Sequence, residues 1–255
     1  LYSKNGRIIV INTIDINRYL SGVIETEGGA HRHIEYYKVQ AVLSRTFALG
    51  HRNRHAKDGF NLCDDVHCQA YKSMLRYTPE IYTAVLATSD IIMVDTTHQI
   101  IDGFFSANCG GQTSETDWVW NKKLHYLPSV KDTFCTHTRQ ANWEKKIGQW
   151  EWRKHLEKKY GFPSHHPFYR HYLYHFNQEE RQIFYGPSEL GIPLHELRSH
   201  YRLKSTFFSV EPSGDYVLLK GHGFGHGIGM CQEGAMQMAN KGYSFDQIIH
   251  FYFRP

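Results

Sequence analysis

The sequence has no run of about 20 apolar residues, the length a helix needs to cross a bilayer, so no transmembrane segment is expected in this chain. It has no long basic block either. Its 29 Lys and Arg face 25 Asp and Glu, a net charge of only +4. Nucleic acid is therefore not an expected partner, whereas mild basicity suits an anionic polymer such as a cell wall. There is no G-K-[ST], and the glycine-rich stretches lack G-x-G-x-x-G spacing, which excludes a nucleotide loop. Cysteine is scarce and odd in number: Cys63, Cys68, Cys109, Cys135 and Cys231. In an exported protein an odd count leaves at least one thiol unpaired or metal-bound. No secretory signal opens the chain, which starts at Leu1 in mid-pattern; a trimmed targeting segment is the expectation.

What is present is a folded, aromatic-rich chain of 255 residues, with 17 Tyr, 15 Phe and 5 Trp. That length fits one large domain or two small ones. The aromatic load suits stacking on sugars or peptides, and also a β-rich core. The most unusual stretch is 221–235, GHGFGHGIGMCQEGA. Alternating glycines weaken a helix or a central strand, so such a run belongs where backbone turns sharply or approaches something closely. It reads either as a glycine-rich hairpin with incidental histidines or as a ligand-facing wall that presents His226 and Gln232.

In chain order, Arg7–Asn12 reads as a short buried strand. A second element from Ile14 leads through Tyr19-Leu20 to Glu25-Thr26-Glu27-Gly28-Gly29. Carboxylates two residues apart point to different faces, so one of the pair faces any given cleft. An acid at an element end suits catalysis; an exposed acidic turn is the plain alternative. Residues 35–51 carry the clearest helical stripe, with Val39, Val42, Leu43 and Phe47. Within it Arg45 reads as surface polarity or as a buried partner for a carboxylate. Next, His55, Cys63, His67 and Cys68 gather the preferred ligands of zinc, with a Cys63–Cys68 disulfide as the alternative. A helix is expected over 74–90, with Thr78 as N-cap and Pro79 at N1. A hairpin is expected over 91–105. The Ser106–Ser114 stretch is a second glycine-punctuated loop. Trp143–Ile147 reads as a strand and Trp150–Tyr160 as a helix ended by Gly161. Residues 163–185 are His- and Tyr-rich without periodicity and read as a surface insertion. A strand from Leu203 and its partner Tyr216–Lys220 form a hairpin. Gln232–Asn240 is helical, and Ser244 and Gln247 form a capping box for a last helix.

Taken together these motifs resemble the SpoIID/LytB domain family of peptidoglycan-acting proteins. The landmarks stand in order: Tyr19-Leu20-Ser-Gly22-Val23 to Glu27; Gln40-Ala41-Val42 to Arg45-Thr46-Phe47; Cys63 to Tyr71; Ser106-Ala-Asn108-Cys109-Gly-Gly; Tyr126-Leu-Pro-Ser-Val; and Gly223-Phe-Gly-His226-Gly-Ile-Gly-Met230 to Gln232. The chain departs from the family pattern at Gly28-Gly29, where Met-Pro is usual, and at Glu25, where a small apolar residue is usual. The 163–185 stretch matches nothing in that pattern.

The resemblance implies an α+β fold, with mixed strands and several helices packed around a central substrate groove, in a single domain spanning 1–255. It implies a lytic transglycosylase acting between N-acetylmuramic acid and N-acetylglucosamine, with Glu27 as the one acid that switches to base. A non-catalytic, glycan-binding enhancer of a cell-wall amidase is the alternative. Zinc, structural in role, would sit on His55, Cys63, His67 and Cys68. Arg45, Gln69, Tyr71, Ser106, Asn108, His226 and Gln232 would contact the glycan strand, and folding would bring His226 and Glu27 to a common cleft. The implied location is the exported bacterial envelope.

Overall fold

Asp15 starts the first helix. Its carboxylate accepts the backbone N–H groups of Asn17 and Arg18 at 2.9 and 3.3 Å, filling donors that a helix start leaves unpaired. The computed structural model describes residues 1–4, 6–73, 78–120 and 122–254, and the expected helix start over 74–77 lies outside them. The described residues fall into two compact units, Leu1–Phe104 with Ala239–Ile249, and Phe105–Met238 with His250–Arg254. The fold is mixed α+β, as the sequence led one to expect.

In the first unit, β1 (Tyr2–Lys4) and β2 (Arg7–Ile9) form an antiparallel ribbon. The expected buried strand is thus shorter and largely solvated: Ile8 is 76% exposed. A two-stranded ribbon has too little face to bury such side chains. Helix α1 (Ile16–Gly28) buries Leu20, Val23 and Ile24, the i, i+3, i+4 stripe of an amphipathic helix. Helix α2 (Ile34–Gly50) is buried over most of its length, and α3 (Pro79–Ala87) packs against both. Arg45 ties α2 to the end of α3. Its guanidinium donates to the carbonyls of Val85, Thr88 and Ile91 at 3.0, 2.8 and 3.3 Å. The sequence suggested a carboxylate partner; carbonyls left open by the helix end take that role instead. The expected hairpin over 91–105 reduces to one bridge, Val94 with Ile100. There Asp95 Oδ1 accepts from Thr97 N–H, Thr97 Oγ1 and Gln99 N–H, so a side chain captures donors that a ladder would use.

In the second unit, β3 (Phe105–Ser106) pairs in parallel with β7 (Met230–Cys231). Helix α4 (Asp117–Trp120) is a single turn. Strand β4 (Asn142–Gly148) joins β5 (Phe208–Ser213) and β6 (Tyr216–His222) in an antiparallel sheet of order β4-β6-β5. The strand read from Leu203 therefore starts at Phe208. Helices α5 (Gln149–Tyr160), α6 (Pro167–Arg170) and α7 (Leu194–His200) lie in the chain between β4 and β5. Helix α8 (Gln232–Asn240) follows β7, and α9 (Phe245–Tyr252), whose residues up to Ile249 belong to the first unit, carries the capping box, Ser244 N–H to Gln247 Oε1 at 3.0 Å and Gln247 N–H to Ser244 Oγ at 3.3 Å.

The core beneath this sheet corrects one reading. Residues 163–185 are not a mere surface insertion: Leu173, Phe176 and Tyr185 are buried in the same cluster as Trp152, Leu156, Leu197, Phe208 and Val217. Trp152 Nε1 donates to the Leu173 carbonyl at 2.9 Å, and Tyr185 Oη to the Tyr172 carbonyl at 2.7 Å. Periodicity is missing because the segment is made of short turns, each contributing a single aromatic or aliphatic anchor.

Candidate active site and metal centre

Glu25 and Glu27 are separated by the helix, as their spacing requires. Glu25 is buried and accepts the Thr78 hydroxyl at 2.8 Å. Glu27, in the last turn of α1, is half-buried and accepts the backbone N–H of Ala70 at 2.9 Å. Burial raises the Glu27 carboxyl above the ordinary carboxylate range, and the Ala70 N–H offsets part of that rise. A carboxyl that keeps its proton at higher pH is suited to general-acid work.

The segment that delivers Ala70 is the cysteine–histidine loop. Cys68 N–H bonds the Asp65 carbonyl at 2.9 Å, Tyr71 N–H the Asp64 carbonyl at 3.0 Å, and Lys72 N–H reaches Thr26 Oγ1 on α1 at 3.3 Å. The Tyr71 ring lies over Gly22 of α1, where a Cβ would fall 2.5 Å from the ring. It also meets the Tyr19 ring at 5.2 Å between centroids. Gln69 is buried, its amide held between the Tyr19 hydroxyl (3.2 Å) and the Ser44 carbonyl (3.3 Å).

Within this loop His55, Cys63, His67 and Cys68 bring one ligand atom each to within 4.8 Å of one another. His67 Nδ1 stands 3.7 Å from Cys63 Sγ and 3.8 Å from Cys68 Sγ. His55 Nδ1 is 3.6 Å from an Asp58 carboxylate oxygen, while its Nε2 is buried with no hydrogen-bond partner among the described residues. An imidazole with one nitrogen on a carboxylate and the other orphaned is arranged as a metal ligand. The four residues fit a thiophilic divalent ion, with both cysteines as free thiols.

The second unit gathers another set. The glycine run leaves β6 with Gly223, Gly225, Gly227 and Gly229 all at positive φ. At Gly223 (φ 79°) a Cβ would fall 2.5 Å from the Asn108 carbonyl, so this backbone approaches the Ser106–Gly111 loop closely, and Asn108 and Phe224 exchange backbone bonds at 3.1 and 2.8 Å. Ser106 pairs with Cys231 in the β3–β7 ladder, and Gln232 is the next residue. The buried Ser106 Oγ has no hydrogen-bond partner among the described residues. Asn108 is fully buried, and its amide serves the fold, donating to the Cys135 carbonyl, Thr138 Oγ1 and Glu233 Oε2 at 3.2, 2.8 and 2.7 Å. His226 accepts the Ile228 N–H on Nδ1 at 3.0 Å, and its ring stands 5.2 Å from that of Trp120. Burial, reinforced by the Arg198 charge, pushes His226 down to about 4, so the imidazole is neutral at neutral pH.

Of the site residues named from sequence, the structure thus groups Glu27, Gln69 and Tyr71 where the cysteine–histidine loop meets α1, and within that loop the four candidate metal ligands. It groups Ser106, Asn108, His226 and Gln232 around the glycine run of the other unit. Arg45, Gln69 and Asn108 have their polar groups committed to protein partners. Sequence reading missed the main-chain donor on Glu27, because a backbone N–H leaves no signature in residue type. The hydroxyl partner of Glu25 has a trace in hindsight: Thr78 is an N-cap whose side chain makes no capping bond.

Residues 4–94 match the SpoIID family, Stage II sporulation protein. The chain is 26% identical over 270 residues to the stage II sporulation protein D of Bacillus subtilis, covering 96% of this chain and 74% of that protein. A Brachyspira hyodysenteriae protein without an assigned role is 26% identical over 264 residues, 98% of this chain and 68% of its own. The amidase enhancer of Bacillus subtilis is similar over a shorter stretch, 37% identical over 67 residues, or 25% of this chain and 10% of that protein.

Proposed function

We propose that this protein acts on the bacterial cell wall as a peptidoglycan lytic transglycosylase, with Glu27 as its single acid–base group. The observation that carries the proposal is the half-buried Glu27 carboxyl, raised by burial and fixed by one backbone donor. In the first step Glu27 gives its proton to the oxygen linking N-acetylmuramic acid to N-acetylglucosamine, and that sugar leaves as an alcohol. In the second the Glu27 carboxylate takes the proton of the muramic acid C6 hydroxyl, whose oxygen bonds to C1 and closes a 1,6-anhydro ring. Water is not the nucleophile, so the second carboxylate of ordinary glycosidases is not required. Glu25, turned away and bound to Thr78, is consistent with a one-acid scheme.

Zinc on His55, Cys63, His67 and Cys68 would be structural, since four protein ligands leave no position for a reacting water. Those side chains hold the loop whose Ala70 N–H meets Glu27. Tyr71, Ser106, His226 and Gln232 are the proposed sugar contacts. An exported, envelope location follows from a glycan substrate, and no helix among the described residues is long and apolar enough to cross a membrane.

The test is mass spectrometry of peptidoglycan digested with purified protein. Wild type releases anhydro-muropeptides or leaves anhydro glycan ends. Glu27→Gln loses them by at least about 100-fold, the lower range for a general acid–base group, while melting as wild type does. Undiminished product would refute the assignment. A second reading, a glycan-binding partner of a cell-wall amidase, is favoured by the similarity to the amidase enhancer and by Gly28-Gly29 after the acid. Binding to glycan without new ends, together with faster amidase release of stem peptides, would select it.

A further inference from the structure

We propose that Cys109, Asp132, Cys135 and Cys231 form a second, fully buried zinc centre, with three thiolates and one carboxylate as ligands. These residues belong to the second unit, the His55–Cys68 loop to the first. One ligand atom from each comes within 4.8 Å of the others, and all four residues are 0% exposed. Cys109 Sγ is 3.4 Å from Cys135 Sγ and 3.4 Å from Asp132 Oδ2. Sulfurs around tetrahedral zinc, each bonded at about 2.3 Å, stand roughly 3.8 Å apart, whereas a disulfide needs about 2.05 Å. A disulfide would also use two of the three thiols and leave the third sealed beside a carboxylate.

The surroundings are those of an anionic centre. Cys231 Sγ accepts the backbone N–H groups of Cys109 and Gly234, both at 3.3 Å. Donors aimed at sulfur favour the thiolate over the thiol. Asp132 is oriented by the Phe134 N–H on Oδ1 at 2.9 Å and the Tyr252 hydroxyl on Oδ2 at 2.8 Å. Gly234 makes this possible: a Cβ there would collide with Asp132 Oδ2 and the Tyr252 hydroxyl. Arg181 supplies the opposite charge. Its buried guanidinium donates to the carbonyls of Cys109 (2.7 Å) and Gln112 (2.6 Å) and to Thr206 Oγ1 (3.0 Å), all neutral acceptors. A buried cation needs a compensating anion. Zinc with three thiolates and one carboxylate carries a net charge of −2, one residue's width from that guanidinium. Binding releases the thiol protons to solvent and changes no oxidation state.

The centre joins three segments: the Ser106–Gly111 loop, the Asp132–Cys135 turn and the strand ending the glycine run. Cys109 and Cys231 are 122 positions apart, and closing so long a loop through metal bonds adds stability that neither segment supplies alone. It also divides the odd five cysteines into two and three, each set with its own ion.

Elemental analysis of the purified full-length chain tests this independently of glycan cleavage. Two zinc ions per chain are expected, falling to one in Cys63→Ser/Cys68→Ser and to one in Cys135→Ser. Cobalt replacing zinc should keep sulfur-to-cobalt absorption in the first variant and lose it when Cys135→Ser is added. Should Cys135→Ser fail to fold, the isosteric Asp132→Asn is expected to fold and to weaken the second ion at least 10-fold. Zinc at no more than one per chain, lost with Cys63 and Cys68, overturns the proposal. So does a disulfide, or free titration of Cys109, Cys135 and Cys231 in zinc-saturated protein, or a metal other than zinc on these ligands. Loss of glycan cleavage with both ions retained would instead count against the Glu27 reading alone.

Discussion

Two glutamates two residues apart on one helix have different surroundings. Glu25 is bonded to the hydroxyl of Thr78 in the helical layer. Truncation to Ala strands that buried hydroxyl and should cost about 1–3 kcal/mol, seen as a lower denaturant midpoint. Cleavage per folded molecule should stay within a few-fold of wild type. For Glu27 the proposed role predicts the other outcome: Glu27→Gln should lose cleavage and keep the fold. Its carboxyl is raised by burial, so it holds the proton used in the proposed first step to higher pH than an ordinary carboxyl does. Cleavage should decline as pH rises through that raised value, and the declining limb of a pH–rate profile reports it. His226 has the opposite sign. Its folded value, about 4, lies below the ordinary 6.5. The stability it contributes is present above 6.5 and is lost as pH falls toward 4. Melting temperature measured across that window should drop less steeply in His226→Gln.

At the scale of elements, the end of α1 and the cysteine–histidine loop act as a pair. Removal of the proposed zinc, by chelation or Cys63→Ser, should loosen 55–72. Faster hydrogen exchange at Ala70 and a matching loss of cleavage would show it; cleavage unchanged after complete removal would separate the loop from the acid. The glycine run is the other such element. Gly223→Ala places a Cβ against the Asn108 carbonyl at positive φ, a strain of order 1–3 kcal/mol, measurable as a fall in unfolding free energy. These parts were legible in the sequence to different degrees. Helices α2, α5 and α8 stood out through periodicity and caps, and the grouping of His55, Cys63, His67 and Cys68 through residue type. The bounds of β5, the failed hairpin at 91–105 and the solvated ribbon at the start were not legible. Each was decided by partners distant in sequence or by a side chain, Asp95, competing with the ladder. The three-cysteine cluster was invisible because its members lie up to 122 positions apart.

At the scale of the whole molecule, the least patterned segment is structurally indispensable. Leu173 is buried under the sheet, and its carbonyl holds the indole of Trp152. Leu173→Ala should cost about 2–5 kcal/mol, read as an earlier denaturation midpoint, and excision of 163–185 should leave no folded second unit. The first unit yields a different consequence. The group that steadies Glu27 is a main-chain amide, which every residue except proline supplies. Position 70 is therefore free to vary through evolution without disturbing the acid. On the proposed reading, what the acid needs is the course of the chain from Cys63 to Tyr71, so the residues that keep that course matter more to it than the side chain at position 70.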